Sequence, residues 1–208
     1  MNDLFGEIPQ RSLADGTIVL IDDFLRQSEA DHYYRLLAQG LAWRQDEITI
    51  FGKKVKIPRL QAWYGDENTA YCYSGLLMQP KPWTPELLTL KDMVQECCGS
   101  TFNSVLANFY RHGNDKMGYH SDDEPELGSN PVIASLSLGC TRRFVFKHKH
   151  TDEKLALDLP SGSLLVMKGQ TQQHYKHAIM MRKSLTQGRI NLTFRYVHDN
   201  LRALAAKN

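Results

Sequence analysis

His120 and Asp122 stand two residues apart at the end of the stretch Ala107-Asn-Phe-Tyr-Arg-His-Gly-Asn-Asp-Lys-Met-Gly-Tyr-His-Ser-Asp-Asp-Glu124. In an extended backbone, side chains two apart project from one face. An imidazole and a carboxylate would then converge, making two-thirds of the two-histidine, one-carboxylate set that holds non-haem Fe(II) with open positions. A His-x-Asp tripeptide alone arises often by chance, so the third ligand matters. His177 lies in an apolar-flanked segment, and His174 competes with it three residues earlier. The two point to opposite faces of a straight strand, and spacing leaves both open.

Arg189-Ile-Asn-Leu-Thr-Phe-Arg195 alternates without a break. Arg189, Asn191, Thr193 and Arg195 share one face of a strand, and Ile190, Leu192 and Phe194 share the other. Alternation alone fits a strand with one wet face. An Arg-x-Asn-x-Thr-x-Arg face, however, also suits a small dicarboxylate, because guanidinium forks bind carboxylates in bidentate fashion. Asn108 and Tyr110 offer a second pair of polar groups two apart. An Fe(II) site beside a carboxylate-binding face implies 2-oxoglutarate as co-substrate and dioxygen as oxidant.

These residues need elements to position them. From residue 101 onward, strand-like runs follow at short spacing: 103–111, 132–138, 143–148, 155–159, 163–167, 173–179 and 189–197. Glycines and prolines punctuate them, which argues for a sandwich or jelly roll rather than a parallel sheet. Ahead of them, Thr17–Ile21 reads as a strand. Ser28 offers an N-cap for a helix with Tyr33, Leu36, Leu37 and Leu41 on its apolar stripe. Thr84 and Pro85 open a second helix, with Leu87, Leu90, Met93, Val94 and Cys97 inward and Gly99 at its end. Residues 46–64 read as a β-hairpin with Phe51-Gly52-Lys53 at the tip. A lone Phe there could tuck into the core; the functional reading is a wedge between stacked bases with lysines on phosphates. The expected fold is α+β, mainly β: a double-stranded β-helix (jelly roll) with flanking helices and an N-terminal nucleotide-recognition hairpin layer. The expected divisions are a flexible leader (1–15), helices and recognition lid (16–100), the β-roll (101–199) and a tail (200–208).

The 208 residues suffice for one substantial core. With 25 basic and 23 acidic residues, any basic footprint must be local. No run of about 20 apolar residues marks a membrane helix, and the N-terminus has no signal-like core, so a cytoplasmic protein is expected (nucleoid-associated if bacterial). Cys72, Cys97, Cys98 and Cys140 form no Cys-x-x-Cys pair; they read as reduced, mostly buried thiols.

His120-Ser-Asp122, the later His177 and Arg189-x-Asn-Leu-Thr-Phe-Arg195 resemble the AlkB family of Fe(II)- and 2-oxoglutarate-dependent dioxygenases, which repair alkylated bases. Phe51-Gly-Lys, Tyr64-Gly-Asp, Ser74-Gly-Leu and Pro80-Lys-Pro-Trp are similar to the second vertebrate member, which works on duplex DNA. The chain departs from that member in a shorter segment after His150 and in Tyr73, where it has phenylalanine. The resemblance implies that His120, Asp122 and His177, rather than His174, bind Fe(II). It implies that Asn108, Tyr110, Arg189, Asn191, Thr193 and Arg195 hold 2-oxoglutarate, with Arg195 on the distal carboxylate. Phe51, with Gly52 and Lys53, would fill the gap left by a flipped base; Tyr71 and Tyr73 would line the base pocket; Asp123 or Glu124 would face the base's polar edge. The expected activity is oxidative demethylation of 1-methyladenine and 3-methylcytosine in DNA, as duplex, by a monomer with no membrane partner. The alternatives are the same chemistry on single-stranded DNA, RNA or a protein, and a non-catalytic nucleic-acid-binding β-roll.

Overall fold

The alternating strand 189–195 is buried along its whole length, on both faces. In the computed structural model, which describes residues 10–50, 52–67, 69, 71–73 and 76–198, it lies inside a seven-stranded sheet. In chain order the elements are β1 (Gln10–Leu13), β2 (Gly16–Ile21), α1 (Gln27–Gly40), β3 (Glu47–Ile50), β4 (Lys53–Lys56), β5 (Leu60–Gly65), β6 (Tyr71–Tyr73), β7 (Leu76–Met78) and α2 (Pro85–Cys98). There follow β8 (Ser104–Tyr110), β9 (Met117–His120), β10 (Ile133–Gly139), β11 (Arg142–His148), β12 (Lys154–Leu159), β13 (Leu164–Lys168), α3 (Thr171–His174), β14 (Tyr175–Ile179) and β15 (Arg189–Arg195). The large sheet runs β1-β2-β13-β10-β15-β8-β5, and a smaller one runs β12-β11-β14-β9. All named pairings are antiparallel, and the fold is a jelly roll.

The two faces of the large sheet have different tasks. Val105, Ala107, Leu136, Leu192 and Phe194 pack with Leu37 of α1 and Leu87, Leu90 and Val94 of α2. Each fully buried leucine there contributes about 2 kcal/mol. The opposite face brings Leu106, Tyr110, Ile133, Leu165 and Met167 against Phe144, Phe146, Leu157 and Ile179 of the small sheet. Parity on β8 and β15 therefore turns Asn108, Tyr110, Arg189, Asn191, Thr193 and Arg195 into the space between the sheets, not toward water.

Several local expectations change. β1 pairs with β2 from Gln10 onward, so ordered structure begins ahead of residue 16. β1, β2 and β5 join the same sheet as the later strands, so that sheet crosses the expected boundary near residue 100. α1 is capped at Arg26, not Ser28, because the Arg26 N–H donates to the Glu29 carboxylate at 3.0 Å. Its inward residues are Ala30 and Leu37, while Leu36 stays 40% exposed. α2 starts as expected, with Thr84 accepting from the Leu87 N–H and Gly99 left-handed at its end. The hairpin divides at Pro58: β4 pairs with β3, and β5 with β8. Cys97, Cys98 and Cys140 are free but only half-buried. Among the described residues, no helix is long and apolar enough to cross a membrane.

Candidate active site

β9 and β14 pair so that His120 lies opposite His177, with a register shift between His177 and Ile179. The two rings meet edge to face, 4.3 Å between centroids. Asp122 lies just past the end of β9, where its backbone N–H donates to Gln172 Oε1 at 2.9 Å. The ligand-type atoms of His120, Asp122 and His177 all lie within 4.8 Å of one another. Asp122 and His177 are buried at 1% and 4% exposure. Phe144 stacks on the His177 ring at 5.1 Å and walls that side.

The protonation of this cluster suits a cation. Burial lowers the His177 pKa to about 3, with His120 adding to it, so the ring is a neutral donor at any ordinary pH. Burial lowers that of His120 as well. Burial alone would raise the Asp122 carboxyl, but Arg195 and the two imidazoles outweigh it and hold the pKa at about 2. His120 Nδ1 lies 2.9 Å from the Gly118 carbonyl. An N–H there leaves the Nε2 lone pair for a metal, the usual outer support of a metal-bound histidine. Two neutral imidazoles and one carboxylate fit Fe(II).

A second cluster, Asp15, His148 and His174, has similar spacing, and its chemistry differs. His148 Nδ1 accepts from the backbone N–H groups of His150 and Thr151, at 3.2 and 2.9 Å. With Nδ1 accepting, a ring proton sits on Nε2, which faces Asp15 at 3.2 Å. That nitrogen has no lone pair to give a metal. His174 stacks on this ring and groups with Asp15, whereas His177 groups with His120 and Asp122.

Beside the triad stands the polar face of β15. Arg195 Nη2 donates to Asp122 Oδ1 at 2.7 Å. Asn191 Nδ2 donates to Ser135 Oγ and the Leu136 carbonyl, while its Oδ1 accepts from Thr193. Arg189, opposite Tyr110 in the β8–β15 register, donates from Nη2 to Ser137 Oγ. Its Nε and Nη1 are buried without hydrogen-bond partners. Burial lowers its pKa to about 10, and it remains a cation at neutral pH. A cavity between the sheets is lined by Asn108, Tyr110, His120, Asp122, His177 and Arg195.

The remaining expected residues spread outward. Glu124 is half-buried with its Oε2 shielded. Asp123 is exposed and accepts from Lys149 Nζ at 3.0 Å. Gly52 has φ +75°, a conformation that favours glycine, and Lys53 is exposed on β4. Phe51 lies outside the described residues, as do the side chains of Tyr71 and Tyr73 on β6. Sequence reasoning missed two arginines. Buried Arg59 donates from Nε to Asn108 Oδ1 at 2.7 Å. Arg142 begins β11, where its parity with Phe144 and Phe146 could have marked it as inward.

Comparison with known proteins agrees with this geometry. Residues 17–195 match the model of the 2OG-Fe(II) oxygenase superfamily. The chain is 42% identical over 182 residues to the DNA oxidative demethylase ALKBH2 of Mus musculus, covering 82% of this chain and 76% of that protein. It is 40% identical over 200 residues to the alpha-ketoglutarate-dependent dioxygenase alkB homolog 3 of Rattus norvegicus, covering 89% of this chain and 65% of that protein. The structure of OsALKBH1 superposes with a TM-score of 0.63 at 23% identity, over 90% of this chain and all of that one, a likeness of fold. The chain thus belongs to the 2OG-Fe(II) oxygenase superfamily, in its AlkB-like branch.

Proposed function

We propose that this protein demethylates N-alkylated bases in DNA, 1-methyladenine and 3-methylcytosine, using Fe(II), dioxygen and 2-oxoglutarate. The observation that carries this reading is the convergence of His120, Asp122 and His177 within 4.8 Å, beside the two buried arginines of β15. His120, Asp122 and His177 would hold the iron. Bound iron and 2-oxoglutarate supply the oxidation of the N-methyl carbon, which leaves as formaldehyde while the keto acid becomes succinate and carbon dioxide. Arg195 keeps the Asp122 carboxylate ionised and fixed. That contact turns its guanidinium to the metal end, which revises its expected role. Arg189, on the same face six residues away, takes the distal carboxylate instead, with Tyr110. Asn108, its oxygen held by Arg59, offers its amide N–H groups to the co-substrate. Asn191 has both its amide donors and its oxygen engaged within the protein and serves as a strut for Thr193.

The base side follows from charge. A base methylated at a pairing nitrogen is cationic and pairs poorly, so it costs less to extrude. Half-buried Glu124 favours that cation more than Asp123, which is exposed and paired with Lys149. Duplex DNA is the form proposed, because β4 exposes Lys53, Lys54 and Lys56, starting two residues after Phe51 in the sequence. The test is a duplex oligonucleotide with one 1-methyladenine, incubated with Fe(II), ascorbate and 2-oxoglutarate. Mass loss of one methyl carbon, with matching succinate and formaldehyde, is the expected result. Succinate formed without loss from any methylated DNA would move the substrate to RNA or protein. Binding of the oligonucleotide with no 2-oxoglutarate turnover at all would reduce the protein to a binding module.

A further inference from the structure

Arg142 has no task in the chemistry above, yet it is 1% exposed at the start of β11. It shares the inward face of that strand with Phe144, which stacks on His177. Its Nη2 donates to the carbonyls of Asp115 and Met180, each at 2.8 Å. Those bonds tie two loops together and account for one nitrogen. Nε and Nη1 are buried without a hydrogen-bond partner.

The neighbour of Arg142 deepens the problem. Its guanidinium carbon lies 5.6 Å from the Tyr110 ring centre, and that of Arg189 lies 5.4 Å from the same centre. Two cations thus crowd one tyrosine. The acidic group that acts on Arg142 is Asp115, but both Asp115 oxygens are held by Arg111, at 2.8 and 3.0 Å. The other groups facing the pair are Tyr110, Arg182 and Cys140, whose thiol pKa is pushed up by burial. Burying two guanidinium groups is unfavourable unless charge and hydrogen bonds compensate. A structural tie between loops would need neither the second cation nor the open nitrogens.

We propose that Arg142 is a specificity-determining residue for the co-substrate, making with Arg189 a doubly cationic inner end that selects a keto acid terminating in a carboxylate. The inference rests on the 2-oxoglutarate reading above and adds to it a residue from the opposite sheet. The selected class is the 2-oxo dicarboxylate; a monocarboxylic 2-oxo acid of the same length would leave both guanidinium groups unanswered.

The test is calorimetric binding to the full chain loaded with Zn(II) in place of iron, so that no turnover enters. The probes are 2-oxoglutarate and 2-oxopentanoate, which has the same five carbons but ends in a methyl group. Arg142→Met and Arg142→Gln should each weaken 2-oxoglutarate by about tenfold or more and 2-oxopentanoate by less than about twofold. Glutamine can still donate toward the Asp115 and Met180 carbonyls, so it serves where methionine loosens the loops. Equal weakening of both acids, no weakening of either, or failure of both neutral variants to fold would assign Arg142 to the scaffold and overturn the proposal. If the wild-type protein bound neither acid, the co-substrate reading itself would fall.

Discussion

Arg195 and Asp122, 73 residues apart in sequence, meet at 2.7 Å with both side chains nearly sealed from water. The pair fastens the last strand to the loop that follows β9, and it sets the charge of the carboxylate. Asp122 has a folded pKa of about 2, against about 3.9 in an unfolded chain. A depressed carboxyl stabilises the fold fully above the unfolded value, and that contribution is lost as pH falls through the folded one. In metal-free protein this group should forfeit about 2–3 kcal/mol between roughly pH 4 and pH 2. Arg195→Met should bring a loss of about 3 kcal/mol to neutral pH, because it strands a buried carboxylate. It should also flatten the acid limb. Urea unfolding of both proteins at several pH values checks the two statements together.

His177 carries a second pH prediction. An ordinary histidine takes up a proton near pH 6.5 and then competes with metal. Here burial keeps His177 neutral down to about pH 3 and shifts His120 in the same direction. Co(II) affinity should therefore change by less than about threefold between pH 7.5 and pH 6, where exposed histidine sites lose metal. Titration of the visible Co(II) bands reads this directly. His177→Ala should abolish the bands and turnover while leaving oligonucleotide binding within about twofold, since no phosphate contact is lost.

Much of this site was legible because its residues sit at fixed offsets within single elements. His120 and Asp122, and the four polar residues of β15, declare themselves by a period of two. What the period could not say is which way the polar face turns. A buried sheet with helices on one side and a second sheet on the other makes the same alternation point inward. The choice between His174 and His177 was hidden by the short helix α3, which breaks the straight strand that parity assumes. Arg59 and Arg142 were missed because each is a lone charge whose meaning comes from another sheet position, Asn108 for one and Tyr110 for the other. The membership of β2 in the large sheet was equally hidden, since its partner β13 lies far along the chain.

The two acidic residues after Asp122 should separate cleanly. Glu124→Gln should raise KM for a cationic methylated base by about tenfold, the loss of one charge-assisted contact in a half-buried place. Asp123→Asn should change it by less than about threefold, because an exposed carboxylate paired with lysine contributes little. Steady-state assays on 3-methylcytosine oligonucleotides decide between them, and a reversed order would place Asp123 at the base instead.

The hairpin tip makes the last prediction, and it discriminates between nucleic-acid forms. Ile50 pairs with Lys53 at the end of the β3–β4 ladder. β4 is exposed along its length, with Lys53, Lys54 and Lys56 in four residues. Cations of this kind bind phosphates without reading sequence; each one removed should lower the salt slope of binding by about 1. Phe51, close by in the sequence, is expected to act differently. An apolar wedge compensates for an opened step in a stacked duplex, and a single strand offers no such gap. Phe51→Ala should therefore cut kcat/KM on duplex DNA by about tenfold or more while leaving single strands within about threefold. Lys54→Ala should weaken both forms alike and more so at low salt. Parallel assays on one lesion in duplex and single-stranded contexts, at two salt concentrations, separate the two effects. An equal loss on both forms from Phe51→Ala would remove the wedge and leave the hairpin as a phosphate clamp.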